Sequence, residues 1–384
     1  MNNINDIDTN KRKRRELPLL SSLLSVLVLL FFMTYIVCTD VSFYRYAVVP
    51  VYVLTVLLLI RSRTVAFVTA IPCFVALITA SSSPFFSLLL AITAAVGCGA
   101  FAIRYANRFL LLLAPIGAYA IAFALTENVV LSLLVFAPVP GAIVLFLAVR
   151  KGLSRTATVA SVATVLVAIA AFVLFLTVHL KYGNVTVKFF TDFLTSFRDK
   201  MIEKYIDAVK TAGLSHVMTV DKDVLNAAIN LLIRLIPAGV VLIAEIMAYF
   251  SGLIAVSMHS VYFPEQPLSH EVLTFRMSSV SAVMFLLSFL AFLLFPTDSN
   301  TFGIVSVSAM NLNLILIPGL ALCGILNFLA NLRQRKQISL IPTLLFLAVL
   351  IFYTAVIPYI LAFSGAFAIL RTGRKRRDDE NGSL

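Results

Sequence analysis

Apolar residues run along this chain in long unbroken stretches rather than alternating with polar ones. Lipid offers the backbone no hydrogen bonds, so a crossing segment is a helix of about 20 apolar residues or a strand of a closed barrel. Barrel strands would alternate, so the continuous runs predict helices. They fall at about 17–38, 43–60, 64–80, 85–103, 109–126, 129–149, 156–180, 229–258, 278–296 and 304–330, followed by an apolar stretch over 338–370. The expected fold is an all-α, polytopic transmembrane helical bundle. The basic run Lys11–Arg15 ahead of the first helix has the character of a signal-peptide start. The apolar run behind it is too long and lacks a small-residue cleavage site, so it reads as an anchor.

Basic residues set the orientation. Lys11–Arg15, Arg61 and Arg63, Arg104 and Arg108, Arg150, Lys151 and Arg155, Arg276, then Arg333, Arg335 and Lys336 all fall in alternate connections, whereas the intervening short ones carry Arg45 alone. This is the positive-inside pattern with a cytoplasmic N-terminus. The closing stretch 338–370 would be roughly 50 Å long as one helix, well beyond the hydrocarbon thickness. Its basic tail, Arg371, Arg374, Lys375, Arg376 and Arg377, has cytoplasmic character. A hairpin turning near Ile357-Pro358 satisfies both, giving about twelve membrane segments, the last two short or re-entrant, with both termini cytoplasmic.

The organisation that follows is a basic N-terminus (1–16), about six helices (17–155), a seventh helix (156–180), an extracytoplasmic loop (181–228), the C-terminal helices (229–370) and a basic tail (371–384). Prolines at Pro50, Pro72, Pro115, Pro138 and Pro140 lie within or near the first helices and predict kinks. In the loop, Phe190, Leu194, Phe197, Met201, Tyr205 and Val209 recur at helical steps among Asp192, Arg198, Asp199, Lys200, Glu203, Lys204, Asp207 and Lys210. Such an amphipathic helix lies on the membrane or caps the bundle. It can pack on the protein's own outer face, cover a vestibule, or dock a protein partner over 186–212.

Composition sharpens the exclusions. Hydrophobic residues make up 61% of the 384 and charged residues 12%, about half the charged share of a soluble domain. That rules out a soluble enzyme, a disordered chain and a nucleic-acid reader, despite a net charge of +12. Cys38, Cys73, Cys98 and Cys323 all sit in apolar runs without a CxxC pair, so neither a disulfide nor a metal site is expected. No phosphate-binding loop, GxSxG elbow, HExxH or intramembrane Asp pair is present, so an enzyme is the less expected class and no cofactor is implied.

Charge at membrane depth marks function by default. Arg234 and Glu245 share a helix face roughly 16 Å apart along the axis, too far for a direct ion pair. Arg234 falls where it can snorkel to the interface. Glu245 lies past the midplane, where it either couples to protons or cations or makes a structural bond to another helix. Asn311 and Asn313 sit on different faces of the tenth segment ahead of Pro318-Gly319. They serve as interhelical glue or line an interrupted helix at a binding site. Glu245, Asn311, Asn313 and Arg234 are thus the candidate ligand- or ion-binding residues. His179 belongs at an interface, and His259, Glu265, His270, Glu271 and Arg276 read as a solvated loop.

The stretch LLIRLIPAGVVLIAEIMAYFSGLIA, the FPEQPLSHEVLTFRM loop and the closing hairpin with its basic tail resemble the YybS-like family of bacterial membrane proteins over about 225–377, with Pro237, Phe275-Arg276 and Arg371–Arg377 as the firmest points. That resemblance implies a bacterial plasma membrane and supplies no catalytic residues. The family is in turn distantly similar to the substrate-binding subunits of vitamin importers, which are much shorter than this chain. Two functional expectations follow. One is a carrier or binding component for a small molecule or ion, with a cavity near Glu245 and the tenth segment. The other is a non-transporting scaffold or regulatory protein that docks a partner through the 181–228 loop.

Overall fold

The computed structural model describes residues 29–30, 32–37, 84–105, 108–183, 187–211, 222–262, 268, 275–295, 303–334 and 356–381. The helices expected at 43–60 and 64–80, most of that at 17–38, and the first arm of the closing hairpin lie outside the described residues. Residues 29–30 and 32–37 are helical. The helices that follow are α1 (Pro84–Tyr105), α2 (Arg108–Thr126), α3 (Val129–Leu133), a 3-10 turn (Leu134–Phe136), α4 (Pro138–Arg150), α5 (Arg155–Tyr182), α6 (Val187–Thr211), α7 (Lys222–Tyr262), α8 (Ser279–Leu294), α9 (Gly303–Gln334) and α10 (Val356–Asn381). The described residues contain no strand. Val129–Arg150, Arg155–Leu180, Asp223–Ser257 and Gly303–Leu329 are long and apolar enough to cross a membrane, and Leu88–Ile103, Ala114–Thr126, Ser279–Leu294 and Val356–Arg371 are shorter apolar helices.

The apolar run at 129–149 is not one continuous helix. Asn128 caps α3 by accepting from the Leu131 N–H at 3.0 Å, a 3-10 turn follows, and Pro138 opens α4. Pro138 and Pro140 lack the N–H groups that would close helical bonds onto the carbonyls of Leu134 and Phe136, so the chain tightens and restarts there. Helix α7 is longer than the expected 229–258. Its 41 residues span about 60 Å, roughly twice the hydrocarbon thickness. Its first turns carry Lys222, Asp223, Asn226 and Asn230, which belong outside the hydrocarbon.

The chain divides into two compact units: one holds the described residues up to Val173 with Ile243–Phe275, the other Leu174–Leu242 with Arg276 onward. In the first unit, Val96 and Ala100 of α1, Leu145 of α4, Val162, Ala163 and Leu166 of α5, and Ala244, Met247, Ala248 and Ala255 of α7 form one core. Between membrane helices the hydrophobic effect gives little, so close van der Waals approach across small residues does the joining. Helix α1 is wedged accordingly. A Cβ on Gly99 would sit 2.9 Å from the Ala142 Cβ on α4, and one on Gly97 would sit 2.9 Å from the Ser251 carbonyl on α7.

The second unit uses the same device more tightly. Its core is Ala282 and Phe285 of α8, Ile317, Leu320 and Ala321 of α9, and Ala362 and Ala366 of α10. Gly324 and Gly365 meet where α9 crosses α10: a Cβ on Gly324 would run into the Leu361 carbonyl, and one on Gly365 into the Leu320 carbonyl. Phe363 fills the space beside that crossing, edge-on to Phe285 (5.1 Å between centroids) and Phe289 (4.8 Å). Such pairs add about 0.5–1.5 kcal/mol beyond area burial in water.

Candidate functional site

Two features of α7 concentrate the polar chemistry, an internal proline and a carboxyl group. Pro237 lies inside the continuous helix and has no N–H to give the Ile233 carbonyl. The next rung, Ala238 N–H to Arg234 carbonyl, is bridged by a side chain from α9. Asn311 Oδ1 accepts from the Ala238 N–H at 3.2 Å, and Asn311 Nδ2 donates to the Arg234 carbonyl at 3.0 Å. The same nitrogen also donates to the Val307 carbonyl, one turn back on α9, at 2.9 Å. Both amide protons and one acceptor site are thus in use. The amide stands in for the helix's own donor and acceptor at the place where proline disturbs them.

Asn313 turns the other way, because two residues rotate a helix position by about 200°. It is buried, and its Oδ1 accepts from Ser288 Oγ of α8 at 2.7 Å; the Phe285 carbonyl lies 3.0 Å from the same hydroxyl. Just over half a turn of α9 therefore carries a polar tie to α7 and another to α8. Helix α9 continues through Pro318 to Gln334, as α7 continues through Pro237 to Tyr262, so neither helix is interrupted. Gly319 leaves room for Met277, whose sulfur would lie 2.9 Å from an added Cβ.

Arg234 contributes to this clasp through its backbone carbonyl; its side chain is exposed. Glu245 belongs to the other unit. It is half-buried and more than about four turns from either end of α7. Ala244, Met247 and Ala248 beside it are core residues, and Ile246 and Phe250 are exposed. Among the described residues the carboxyl has no hydrogen-bond or ion-pair partner. Gly252, two turns on along the same flank, has no described atom within 4 Å of an added Cβ. Elsewhere in this unit Ser251 Oγ donates to the Thr93 carbonyl at 2.9 Å, and the Arg155 guanidinium sits 4.6 Å from the centre of the Tyr249 ring.

One expectation needs correction. His259 is not part of a solvated loop; α7 continues to Tyr262, which places His259 one turn beyond Ala255 on the packed face, 3% exposed. Arg276 is exposed, and Glu265, His270 and Glu271 lie outside the described residues. His179 is exposed near the end of α5, its ring stacked on Phe175. Cys98 and Cys323 are free thiols, and Cys38 and Cys73 lie outside the described residues. Among the described residues no three His, Cys, Asp or Glu side chains come together as a metal site would require.

The sequence reading did not anticipate that Pro237 and Asn311 act together, nor that Ser288 completes Asn313. The available signals were a proline inside an apolar run and amides inside another, without anything to pair them. The family model for a predicted membrane protein family, DUF2232, matches residues 70–367. The chain belongs to that family. The match takes in α1 through the first part of α10, with α7, its Asn311 clasp and Glu245 all inside it, and overlaps the YybS-like resemblance over 225–367. No curated protein and no solved structure matches the chain.

Proposed function

We propose that this member of the DUF2232 family binds or carries a small polar or cationic solute within the membrane, with Glu245 as the ligand- or ion-contacting group. Glu245 carries the reading: a half-buried carboxyl in the middle of a membrane-length helix, with no partner among the described residues. A charge held at membrane depth costs several kcal/mol unless something compensates it, and a bound cation, a proton or a solute donor would do so. The Asn311 clasp steadies the helix that carries Glu245. It pairs the backbone groups beside Pro237, so α7 carries a proline in lipid at small cost. Asn313 and Ser288 tie α9 to α8 and belong to the scaffold.

In this proposal the chain crosses the plasma membrane of a bacterium with about twelve segments and both termini in the cytoplasm. It performs binding or carriage rather than catalysis. The test is reconstitution into vesicles with an imposed proton or sodium gradient and uptake of a panel of labelled small solutes. Wild-type protein is expected to accumulate at least one of them, and Glu245→Gln to lose that accumulation while remaining folded. Uptake by the Gln variant equal to that of wild type would remove Glu245 from the mechanism.

A further inference from the structure

Helix α6 divides its surface into three lengthwise sectors. Leu194, Ile202, Ile206 and Val209 are half-buried, together with Arg198. Phe193, Phe197, Met201 and Tyr205 form a second row at four-residue steps and are 41–47% exposed. The acidic residues Asp192, Asp199, Glu203 and Asp207 are exposed and gather within about 80° of the helical projection, away from the aromatic row. Lys200 and Lys204, also exposed, fall along the edge between the acids and that row. Arg198 is held back by its own neighbour, Nε and Nη2 both donating to Asp199 Oδ1 at 2.9 Å.

An aromatic row left bare on a charged helix needs a medium to face. Position supplies it. Helix α5 runs through a membrane-length segment to Leu180, and its exposed Leu174, Phe175 and Leu180 lead straight to this region. Only residues 183–186 separate α5 from α6, a link that reaches about 14 Å at most. Helix α6 therefore starts at the edge of the bilayer. We propose that α6 lies in the plane of the bilayer interface, with Phe193, Phe197, Met201 and Tyr205 among the upper acyl chains, Lys200 and Lys204 on anionic headgroup phosphates, and the acidic face in water. Aromatic and sulfur side chains suit that depth, lysine stems reach from it to the phosphates, and the acids avoid them. The helix thereby holds the loop between α5 and α7 down on the lipid surface.

The chain contains no tryptophan, so a single introduced indole reports its own surroundings. Full-length Phe197→Trp and Glu203→Trp are placed in vesicles of equal parts phosphatidylcholine and phosphatidylglycerol, and quenched by brominated acyl chains or by aqueous iodide. The indole at 197 is expected to be quenched by bromolipid at least about twofold more than the indole at 203, with the iodide order reversed. Iodide quenching at 197 equal to that at 203 would overturn the proposal in favour of a water-exposed face. Protection of 197 from both quenchers would overturn it in favour of a protein partner or a second copy. Tyr205→Trp repeats the measurement should Phe197→Trp fold poorly. Adding Lys200→Gln and Lys204→Gln to Phe197→Trp is expected to weaken bromolipid quenching in the mixed vesicles and leave it unchanged in pure phosphatidylcholine. An equal effect in both would refute the phosphate contact. None of these outcomes depends on whether Glu245 binds a solute.

Discussion

The two compact units join helices in the same way and treat their polar groups differently. In both, small residues let backbones touch: Gly97, Gly99 and Gly141 in the first, Gly324 and Gly365 in the second. In the second unit Asn311 is spent on three backbone atoms of two helices and Asn313 on Ser288. In the first, Ser251 is spent on Thr93, but Glu245 is left with no partner among the described residues. A polar group in lipid whose hydrogen bonds are all made inside the protein is there for structure. A carboxyl whose bonds are not made is what the proposed ligand contact requires. That difference, rather than polarity alone, separates Asn311 from Glu245.

The comparison breaks most violently at the glycine crossings. Gly365→Leu would force its side chain into the Leu320 carbonyl and the Gly324 backbone, so α9 and α10 must separate. We expect a loss of about 3 kcal/mol or more in unfolding free energy, measured by steric trapping in bicelles. Gly252→Leu, with no described atom near its Cβ, is expected to change stability by less than about 0.5 kcal/mol.

The amide clasp comes next. Asn311→Leu removes the donors and acceptor that bridge Arg234 and Ala238, and should cost about 1–2 kcal/mol. In a Pro237→Ala background the same substitution should cost less, because Ala238 N–H and the Arg234 carbonyl can then bond to each other. A double-mutant cycle in the same bicelles reads that coupling directly; strict additivity would separate Asn311 from Pro237. Ser288→Ala, which leaves Asn313 Oδ1 without its hydroxyl donor, should cost about 0.6 kcal/mol.

Much of this architecture is legible in the sequence because lipid imposes a single rule, helices wherever apolar runs are long. The rule finds the apolar body of α5, α7, α8 and α9 and the amphipathic period of α6. It fails at 222–228, where the helix is real but polar, so hydropathy stops short of its start. It fails again at 134–137, where one apolar run conceals two helices that only Pro138 betrays. It also ends α7 too early and puts His259 in water. At the site, the oddity of Glu245 is visible from its charge alone, and the glue role of the amides from their type. Their partners are not visible. Pro237 and Asn311 meet through the tertiary fold, and nothing in either local pattern records the other.

The measurement that bears most directly on the central distinction is the unfolding free energy of Glu245→Gln, set beside Asn311→Leu in the same bicelles. A carboxyl reserved for a ligand should lose less than about 0.5 kcal/mol on becoming an amide of the same shape, well below the loss at Asn311. If Glu245→Gln costs as much as Asn311→Leu, then Glu245 is a structural bond like the amides, and the contrast between the two units fails.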